Sequence, residues 1–313
     1  MLKVTLPSQC SQIELFRALA NVGALRGTWD QLQFEVPINC FVEMPALAWL
    51  CAWGLKQRQA GRHFSVTGDR KTLNYLAHFD LFRHLGIAYD EPVRRQTAVG
   101  RFIPLQLVHD GASVAAATNA ICDLVLRSLD NAADFLPALE WAVNEIIDNI
   151  NLHAAAAIPG AVCAQLYAGN NRLVIGICDA GQGILNSLAQ SHVINDHQEA
   201  LTLALQRGVT RSLEVGMGNG LAGSQEISRL NGGNFQLWSG DALYDLESDG
   251  AQCAGRADGG RQSGHHAVAE HGHHRVDDRG RGPWVRRAER APQPQDRRRH
   301  RGGACDHRPR RGP

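Results

Sequence analysis

The sequence lacks the features that place a protein in a membrane or outside the cell. Its most apolar segment, residues 46–55, is too short to cross a bilayer and is followed by Lys56, Arg58 and Arg62. The N-terminus has no apolar signal-peptide core. The eight cysteines are scattered without a CxxC pair, which favours reduced, buried thiols over a disulfide framework or a metal site. We therefore expect a cytoplasmic protein.

Charge is distributed unevenly, so the net charge of +1 describes neither end of the chain. Residues 248–313 hold 15 arginines, no lysine and 8 acidic residues, which leaves 17 basic and 23 acidic residues in 1–247. A surface with an acidic excess does not attract the phosphate backbone of nucleic acids. We therefore expect neither a nucleic-acid partner nor a membrane partner for residues 1–247.

Residues 248–313 also lack Leu, Ile, Phe, Met and Tyr, and consist mainly of Arg, Gly, His, Asp and Pro. A segment of this composition cannot bury an apolar core, so we predict a disordered tail. The composition is typical of out-of-frame translation of a GC-rich gene, beginning near residues 244–249. The alternatives are a basic arm that binds RNA and a histidine cluster at 265–274 that binds metal adventitiously.

Residues 1–100 alternate between short strands and helices. Pro45 fits the first turn of a helix, and Gly61 and Gly86 fit helix ends. Strands are predicted at 2–6, 31–38 and 63–67, and helices at 11–20, 45–58 and 71–85. Short turns between such elements favour a small sheet covered by helices. We expect a domain boundary within 97–101, before a connector that is extended at 103–104.

The helix predicted to end at His153 has an apolar face and an adjacent polar face. Glu145, Asn149 and His153 are spaced by four and lie near one line along the helix. The apolar stripe beside them consists of Val143, Ile146, Ile147 and Ile150. An amide oxygen suits Mg²⁺, and a carboxylate one turn earlier can take a proton from a water or a hydroxyl. The pattern therefore predicts a metal-binding and proton-accepting site on the polar face and core packing on the apolar face.

Two glycine-rich turns follow this helix. Residues 179–184 (DAGQGI) end a predicted strand, and residues 216–221 (GMGNGL) lead into a helix predicted at 221–230. Between them, residues 185–215 form a predicted lid, which holds a helix at 198–206 and an arginine, Arg211, that could reach a phosphate. The start of a helix offers free N–H groups and a positive dipole end to phosphates. The second turn is not a Walker motif, because no Gly-Lys-Ser/Thr occurs in the chain, and it lacks the context of a Rossmann fingerprint, because it follows the lid instead of a strand.

Taken in order, the helix and the two turns resemble the N, G1 and G2 boxes of the GHKL ATPase superfamily. This superfamily includes type II topoisomerases, heat-shock chaperones, sensor histidine kinases and anti-sigma-factor serine kinases. The resemblance covers roughly residues 111–244 and implies an α+β two-layer sandwich with ATP and Mg²⁺ as cofactors. The site residues that it implies are Glu145, Asn149, Asp179, Gly181, Gly183, Ile184, Gly216, Gly218, Gly220 and Leu221.

The resemblance also implies a role for each box. Asn149 would hold Mg²⁺, and Glu145 would be the catalytic residue that polarises the attacking hydroxyl. Asp179 would accept a hydrogen bond from the adenine amino group, while Gly181 and Gly183 would let the base approach the backbone. The second glycine turn would surround the phosphates.

Residues 1–100 resemble a STAS-like domain, the fold of anti-sigma-factor antagonists, in element order and in segments 44–61 and 73–87. Where regulatory members carry a phosphorylatable serine, this chain has residues 43–45 (EMP), so no phospho-switch is expected there. The alternative is a packing or dimerisation module without a ligand. We thus expect a STAS-like domain at 1–100, a GHKL-type ATP-binding domain at 101–247 and a disordered tail at 248–313.

This combination predicts a Mg-ATP-binding regulatory protein, similar to the serine/threonine kinases of partner-switching signalling systems. Its partner would be a regulatory protein like an anti-sigma antagonist, and a homodimer is compatible with this role. A nucleotide-gated or inactive interaction module without turnover would need only the fold. A sensor histidine kinase would need its acceptor within a dimerisation helix, whereas His109 precedes its helix. A topoisomerase-type ATPase would need a transducer domain.

Overall fold

A computed structural model of the chain describes residues 1–91, 100–129, 132–153, 157–167, 172–210, 218–247, 250–254 and 265–271. Helices and strands are mixed along these ranges, which confirms the expectation of a fold that contains both. Of the helices within them, none combines the length and the apolar composition that a membrane span requires.

The N-terminal region, residues 1–91, contains a small parallel sheet. Its elements are β1 (Leu2–Thr5), β2 (Gln9–Cys10), α1 (Gln12–Asn21), β3 (Gln31–Val36), β4 (Phe41–Val42), α2 (Met44–Gln59), β5 (His63–Gly68), α3 (Arg70–His78) and α4 (Leu81–Leu85). The sheet has the order β1-β3-β5, and β2 and β4 form a separate parallel pair. The predicted alternation of strands and helices is confirmed.

The single helix predicted at 71–85 is wrong, because the chain breaks between α3 and α4. Asp80 adopts a left-handed conformation with φ of 61°. The residue before it, Phe79, is almost fully buried, and its ring centroid lies 4.7 Å from that of Phe102. A continuous helix would carry Phe79 and Leu81 in different directions, whereas the break lets both enter the core.

The remaining described elements form a larger unit. They are β6 (Phe102–Val108), α5 (Gly111–Ser128), a 3-10 turn (Ala132–Asp134), α6 (Leu136–His153), β7 (Gly160–Tyr167), β8 (Arg172–Cys178), α7 (Gly183–Leu188), α8 (His197–Ala204), α9 (Gly220–Leu230), β9 (Asn234–Ser239), β10 (Ala242–Glu247), β11 (Gly250–Ala254) and β12 (His265–His271). Seven of these strands form a sheet in the order β11-β10-β9-β12-β8-β7-β6, and all neighbours are antiparallel.

The predicted connector is the strand β6, which lies at one edge of this sheet. An edge position tolerates Pro104, which has no N–H to donate. The pairing with β7 shifts register between Ile103 and Gln106. At this irregularity the Leu105 N–H donates instead to the Phe79 carbonyl, 3.1 Å away. The bulge therefore attaches the larger sheet to the N-terminal region.

The disorder predicted for residues 248–313 is wrong for two segments. Strand β11 pairs with β10, and β12 fills the space between β8 and β9. Backbone hydrogen bonds on both sides hold β12, and such pairing does not require large apolar side chains. Residues 255–264 and 272–313 lie outside the described part of the chain, as do the last histidines of the predicted metal-binding cluster.

The two faces of the seven-stranded sheet belong to two apolar cores. Successive strand residues point to opposite faces. On β7, Ala161 and Cys163 join a core shared with the N-terminal region, whereas Val162 and Ala164 join a core shared with α5 and α6. The larger sheet is therefore covered by helices on both sides.

The helix α2 covers the face opposite α6. Its residues 44–54 are all buried. The Cys163 thiol on β7 donates to the Met44 carbonyl over 3.4 Å, and a Cβ at Gly176 on β8 would collide with that same carbonyl. The N-terminal region and the larger sheet therefore share a core. The partition near residue 100 stays a prediction, because residues 92–99 lie outside the described ranges.

The cysteines whose side chains the structure describes are free and buried. Burial raises the pKa of the Cys51 thiol to about 12, so this thiol stays protonated at neutral pH. The prediction of buried thiols is confirmed for these positions, which are Cys10, Cys40, Cys51, Cys122, Cys163 and Cys178.

Candidate functional site

The helix α6 has the two faces that its sequence predicts. The apolar stripe is buried, with Ile147 fully enclosed between the sheet and α5. Glu145 and Asn149 are half-buried on the neighbouring face, one helical turn apart. The side chain of His153 lies outside the described part of the chain. The structure therefore places the predicted catalytic and magnesium-binding residues together on a fixed element.

The Glu145 carboxylate lies against the first residue of α9. A Cβ added at Gly220 would stand 2.6 Å from Glu145 Oε2, so a larger residue would displace this carboxylate from its position. One turn further along α9, Gly223 leaves room for the Trp141 ring, and the Ser224 hydroxyl donates to the Ala142 carbonyl over 3.2 Å. Small residues on α9 thus let the two helices approach closely. The first and third predicted boxes meet at this contact.

Two electrostatic influences act on Glu145. Burial raises the pKa of this carboxyl, and the neighbouring charge of Asp148 adds to the rise. The N-terminus of α9 lies close to the carboxylate and carries a partial positive charge, which favours the ionised form and so opposes this rise. A carboxylate with a raised pKa is a stronger base than an exposed one. Glu145 is thus suited to accept a proton from a group held at the start of α9.

Asp179 lies directly after β8 and is almost fully buried. One of its carboxylate oxygens accepts the Gly181 N–H over 2.7 Å. Gly183 has φ of +82°, which favours glycine, and the Ile184 N–H donates to the Ser239 hydroxyl over 2.9 Å. These bonds hold the loop at both ends, so the acidic side chain is fixed inside the protein.

Gly160 brings the first two boxes to the same end of the sheet. A Cβ at Gly160 would lie 2.7 Å from the Ile150 side chain and 3.0 Å from the Cys178 carbonyl. Ile150 follows Asn149 on α6, and Cys178 precedes Asp179 on β8. The helix carrying Asn149 and the strand leading to Asp179 are therefore separated by little more than one glycine backbone.

The second glycine turn is described only in part, because Gly216 and the lid arginine Arg211 lie outside the described ranges. Gly218 has φ of +67°, and a Cβ there would collide with the Val209 backbone. The Gly208 N–H also donates to the Gly218 carbonyl over 3.0 Å. Residues 208–209 of the predicted lid are therefore in contact with the turn that precedes α9. Leu221, the next predicted residue, packs against the core under α6.

An open cleft of about 360 Å³ lies beside the contact between α6 and α9. Trp141 and Glu145 are one turn apart on α6, so the cleft lies one helical turn from the carboxylate. The lining residues are Trp141, Arg207, Asn219, Gly223, Glu226 and Ile227.

The predicted site residues offer an amide oxygen, a buried carboxylate and the start of a helix. The start of α9 suits phosphate, Asn149 provides an amide oxygen, and the buried Asp179 is suited to an N–H donor. Among the described residues there is no group of three His, Cys, Asp or Glu side chains that could hold a metal. An ion at Asn149 would therefore take most of its oxygen ligands from water and from a bound phosphate group.

Sequence patterns missed two residues that support the site. The Ser239 hydroxyl ends β9 and holds the loop after β8, and Lys56 donates from α2 to the Ala180 carbonyl over 3.1 Å. Lys56 is separated from Ala180 by 124 positions, and no local pattern reveals such a contact. No family model matches the chain, and no curated protein is significantly similar to it.

Proposed function

We propose that the chain is a Mg-ATP-binding regulatory protein that transfers a phosphoryl group to a serine or threonine hydroxyl of a partner protein. The observation that carries this proposal is the contact of the Glu145 carboxylate with Gly220 at the start of α9. It combines a base with a phosphate-binding helix end at one place. The finer fold assignments, a GHKL-type sandwich and a STAS-like domain, belong to the same proposal.

Each part of the site has a role in this proposal. Asn149 would hold Mg²⁺, Asp179 would accept a hydrogen bond from the adenine amino group, and the N–H groups from Gly218 onward would bind the phosphates. Bound Mg-ATP supplies the phosphoryl group that is transferred. Glu145 would take the proton of the acceptor hydroxyl while the hydroxyl oxygen bonds to phosphorus and the bond between phosphorus and the leaving ADP oxygen breaks. Catalysis then depends on positioning and charge neutralisation.

The experiment that tests this proposal compares Glu145→Ala with Glu140→Ala. Glu140 is exposed on the same helix and serves as the matched control. We expect the wild-type chain and both variants to bind an ATP analogue with Mg²⁺. Turnover of ATP should fall by about a hundredfold or more in Glu145→Ala, the usual effect of removing a general base, and stay unchanged in Glu140→Ala. Turnover that is absent in the wild type, or unaffected in Glu145→Ala, would contradict the kinase assignment.

The second candidate is a nucleotide-gated interaction module without turnover. The packing of α2 against β7 and β8 favours it, because this packing gives the N-terminal region a direct route to the nucleotide loop. Such a module would bind the ATP analogue and change its affinity for a partner protein without releasing phosphate. The same turnover measurement separates the two candidates.

A further inference from the structure

One hydrogen bond joins the N-terminal region to the loop that follows β8. The half-buried residue Lys56, near the end of α2, donates from its ammonium group to the Ala180 carbonyl over 3.1 Å. Ala180 lies between Asp179 and Gly181, so the bond acts at the centre of the proposed adenine-binding loop. A bond from a charged donor is stronger than one between neutral groups.

The helix that carries Lys56 is held in place over most of its length. The rings of Trp49 and Trp53 stack with centroids 5.8 Å apart, and the Leu85 side chain occupies the space beside Gly54. At the other end of α2, the Met44 carbonyl accepts the Cys163 thiol. The ammonium group therefore starts from a fixed backbone, and the cost of holding it against the loop is the rotamer entropy of its own side chain.

The loop itself needs such a restraint. Gly181 and Gly183 lower the barrier to other backbone conformations, and Gly183 already adopts a positive φ. The bond from Gly181 to the Asp179 carboxylate and the bond from Ile184 to Ser239 both come from the larger unit. The bond from Lys56 comes from the N-terminal region instead, and it restrains the backbone inside the turn that the Gly181 bond closes.

We infer that Lys56 is a positioning residue, which holds the loop at 179–184 in the conformation that accepts adenine and makes nucleotide affinity depend on the packing of α2. Its effect on nucleotide affinity rests on the proposed function, but its effect on the loop does not. A ligand binds more weakly when its competent conformation is less populated. Loss of the bond should therefore weaken nucleotide binding without removing any group that touches the nucleotide.

The test uses the full chain with Lys56→Met, which keeps most of the apolar stem, and Lys56→Arg, which keeps the charge. Lys71→Met, at an exposed position on α3, is the matched control. Hydrogen exchange at the Gly181 and Ile184 amides is measured without nucleotide, and affinity for an ATP analogue is measured with Mg²⁺. We expect faster exchange and about five- to tenfold weaker binding in Lys56→Met. Lys56→Arg should keep most of the slow exchange and most of the affinity of the wild type. Lys71→Met should match the wild type in both measurements.

The two readouts keep the inference separate from the proposed function. Exchange in Lys56→Met that equals the wild-type rate would overturn the inference, whether or not nucleotide binds. Faster exchange in both Lys56→Met and Lys56→Arg would also overturn it, because charge at this position would not be what restrains the loop. A wild-type chain that binds no nucleotide would contradict the proposed function alone, and the exchange rates would still decide the role of Lys56.

Discussion

The helices α2 and α6 pack on opposite faces of the same sheet and differ in what they leave uncovered. Residues 44–54 of α2 are buried on all sides, whereas α6 buries one stripe and keeps Glu145 and Asn149 half-buried beside it. A helix that is apolar all round is a packing element. Only the helix with a polar face can present a base and a metal ligand to a bound molecule.

The comparison also shows why the N-terminal region belongs to the architecture of the site. The face of β7 and β8 that α2 covers carries Cys163, Val174 and Cys178, which are all buried. Without α2 this apolar face would meet water. The sheet that positions Asp179 at its end therefore depends on cover from both regions of the chain.

The largest expected effect comes from removing buried side chains on the two helices. Leu47 on α2 and Ile147 on α6 are both fully buried. We expect Leu47→Ala and Ile147→Ala each to lower the free energy of unfolding by about 3 kcal/mol, measured by chemical denaturation. Both should shift a single transition, because the two helices cover one sheet.

The control for this pair is Val193→Ala, at a position that is 95% exposed and should change stability by less than about 0.5 kcal/mol. Two separate unfolding transitions, of which Leu47→Ala shifts only one, would break the comparison. That result would show that the N-terminal region folds independently and that the shared core contributes little to the free energy of unfolding.

The substitution Gly220→Ala is expected to affect activity much more than stability. The new methyl group would displace the Glu145 carboxylate, while alanine within a helix is favoured over glycine by up to about 1 kcal/mol. We therefore expect little change in the free energy of unfolding and about tenfold to a hundredfold slower turnover. Gly111→Ala is the matched control, since Gly111 also begins a helix and has open space around it.

Turnover by Gly220→Ala at the wild-type rate would show that the position of Glu145 beside α9 does not matter for activity. A loss of turnover in Gly111→Ala as well would show that the substitution acts through general helix effects. Either result would mean that the polar face of α6 has no demonstrated role in activity and that α6, like α2, serves for packing.

The smallest expected effect is the pH dependence that Glu145 gives to stability. Because burial raises the pKa of this carboxyl in the folded state, the folded state binds its proton more tightly than the unfolded state does. The stabilisation that comes from the protonated carboxyl is fully present at a pH below its pKa in the unfolded state. It is lost as the pH rises through its pKa in the folded state. We therefore expect Glu145→Gln to raise the melting temperature at pH 7, with a gain that shrinks towards pH 4. A gain that grows towards pH 4 would contradict this.

Sequence patterns correctly predicted the helices that are determined by neighbouring residues. The apolar stripe of α6 and the glycines that precede α9 placed both helices correctly, because helix period and helix ends are properties of neighbouring residues. The break at Asp80 was missed, since burial of Phe79 against Phe102 overrides the helical pattern. The roles of Asn149 and Asp179 stay predictions that rest on family resemblance.

Long-range packing could not be predicted from the sequence. The apolar composition of α2 indicates that it is buried, but not that β7 and β8 cover it. The contact of Glu145 with Gly220 and the bond from Lys56 depend on how distant elements meet in space. The strand β12 was missed because its backbone pairing leaves little trace in the composition of the residues that form it.

The most direct test of the central claim is the binding of an ATP analogue, measured by calorimetry with Mg²⁺ and with a chelator. We expect the wild-type chain to bind more tightly with Mg²⁺, and Asn149→Ala to lose this difference, since its amide would no longer hold the ion. Asn151→Ala, an exposed asparagine on the same helix, should behave as the wild type. A wild-type chain that does not bind the analogue, or binds it equally well with the chelator, would contradict the assignment of a Mg-ATP site.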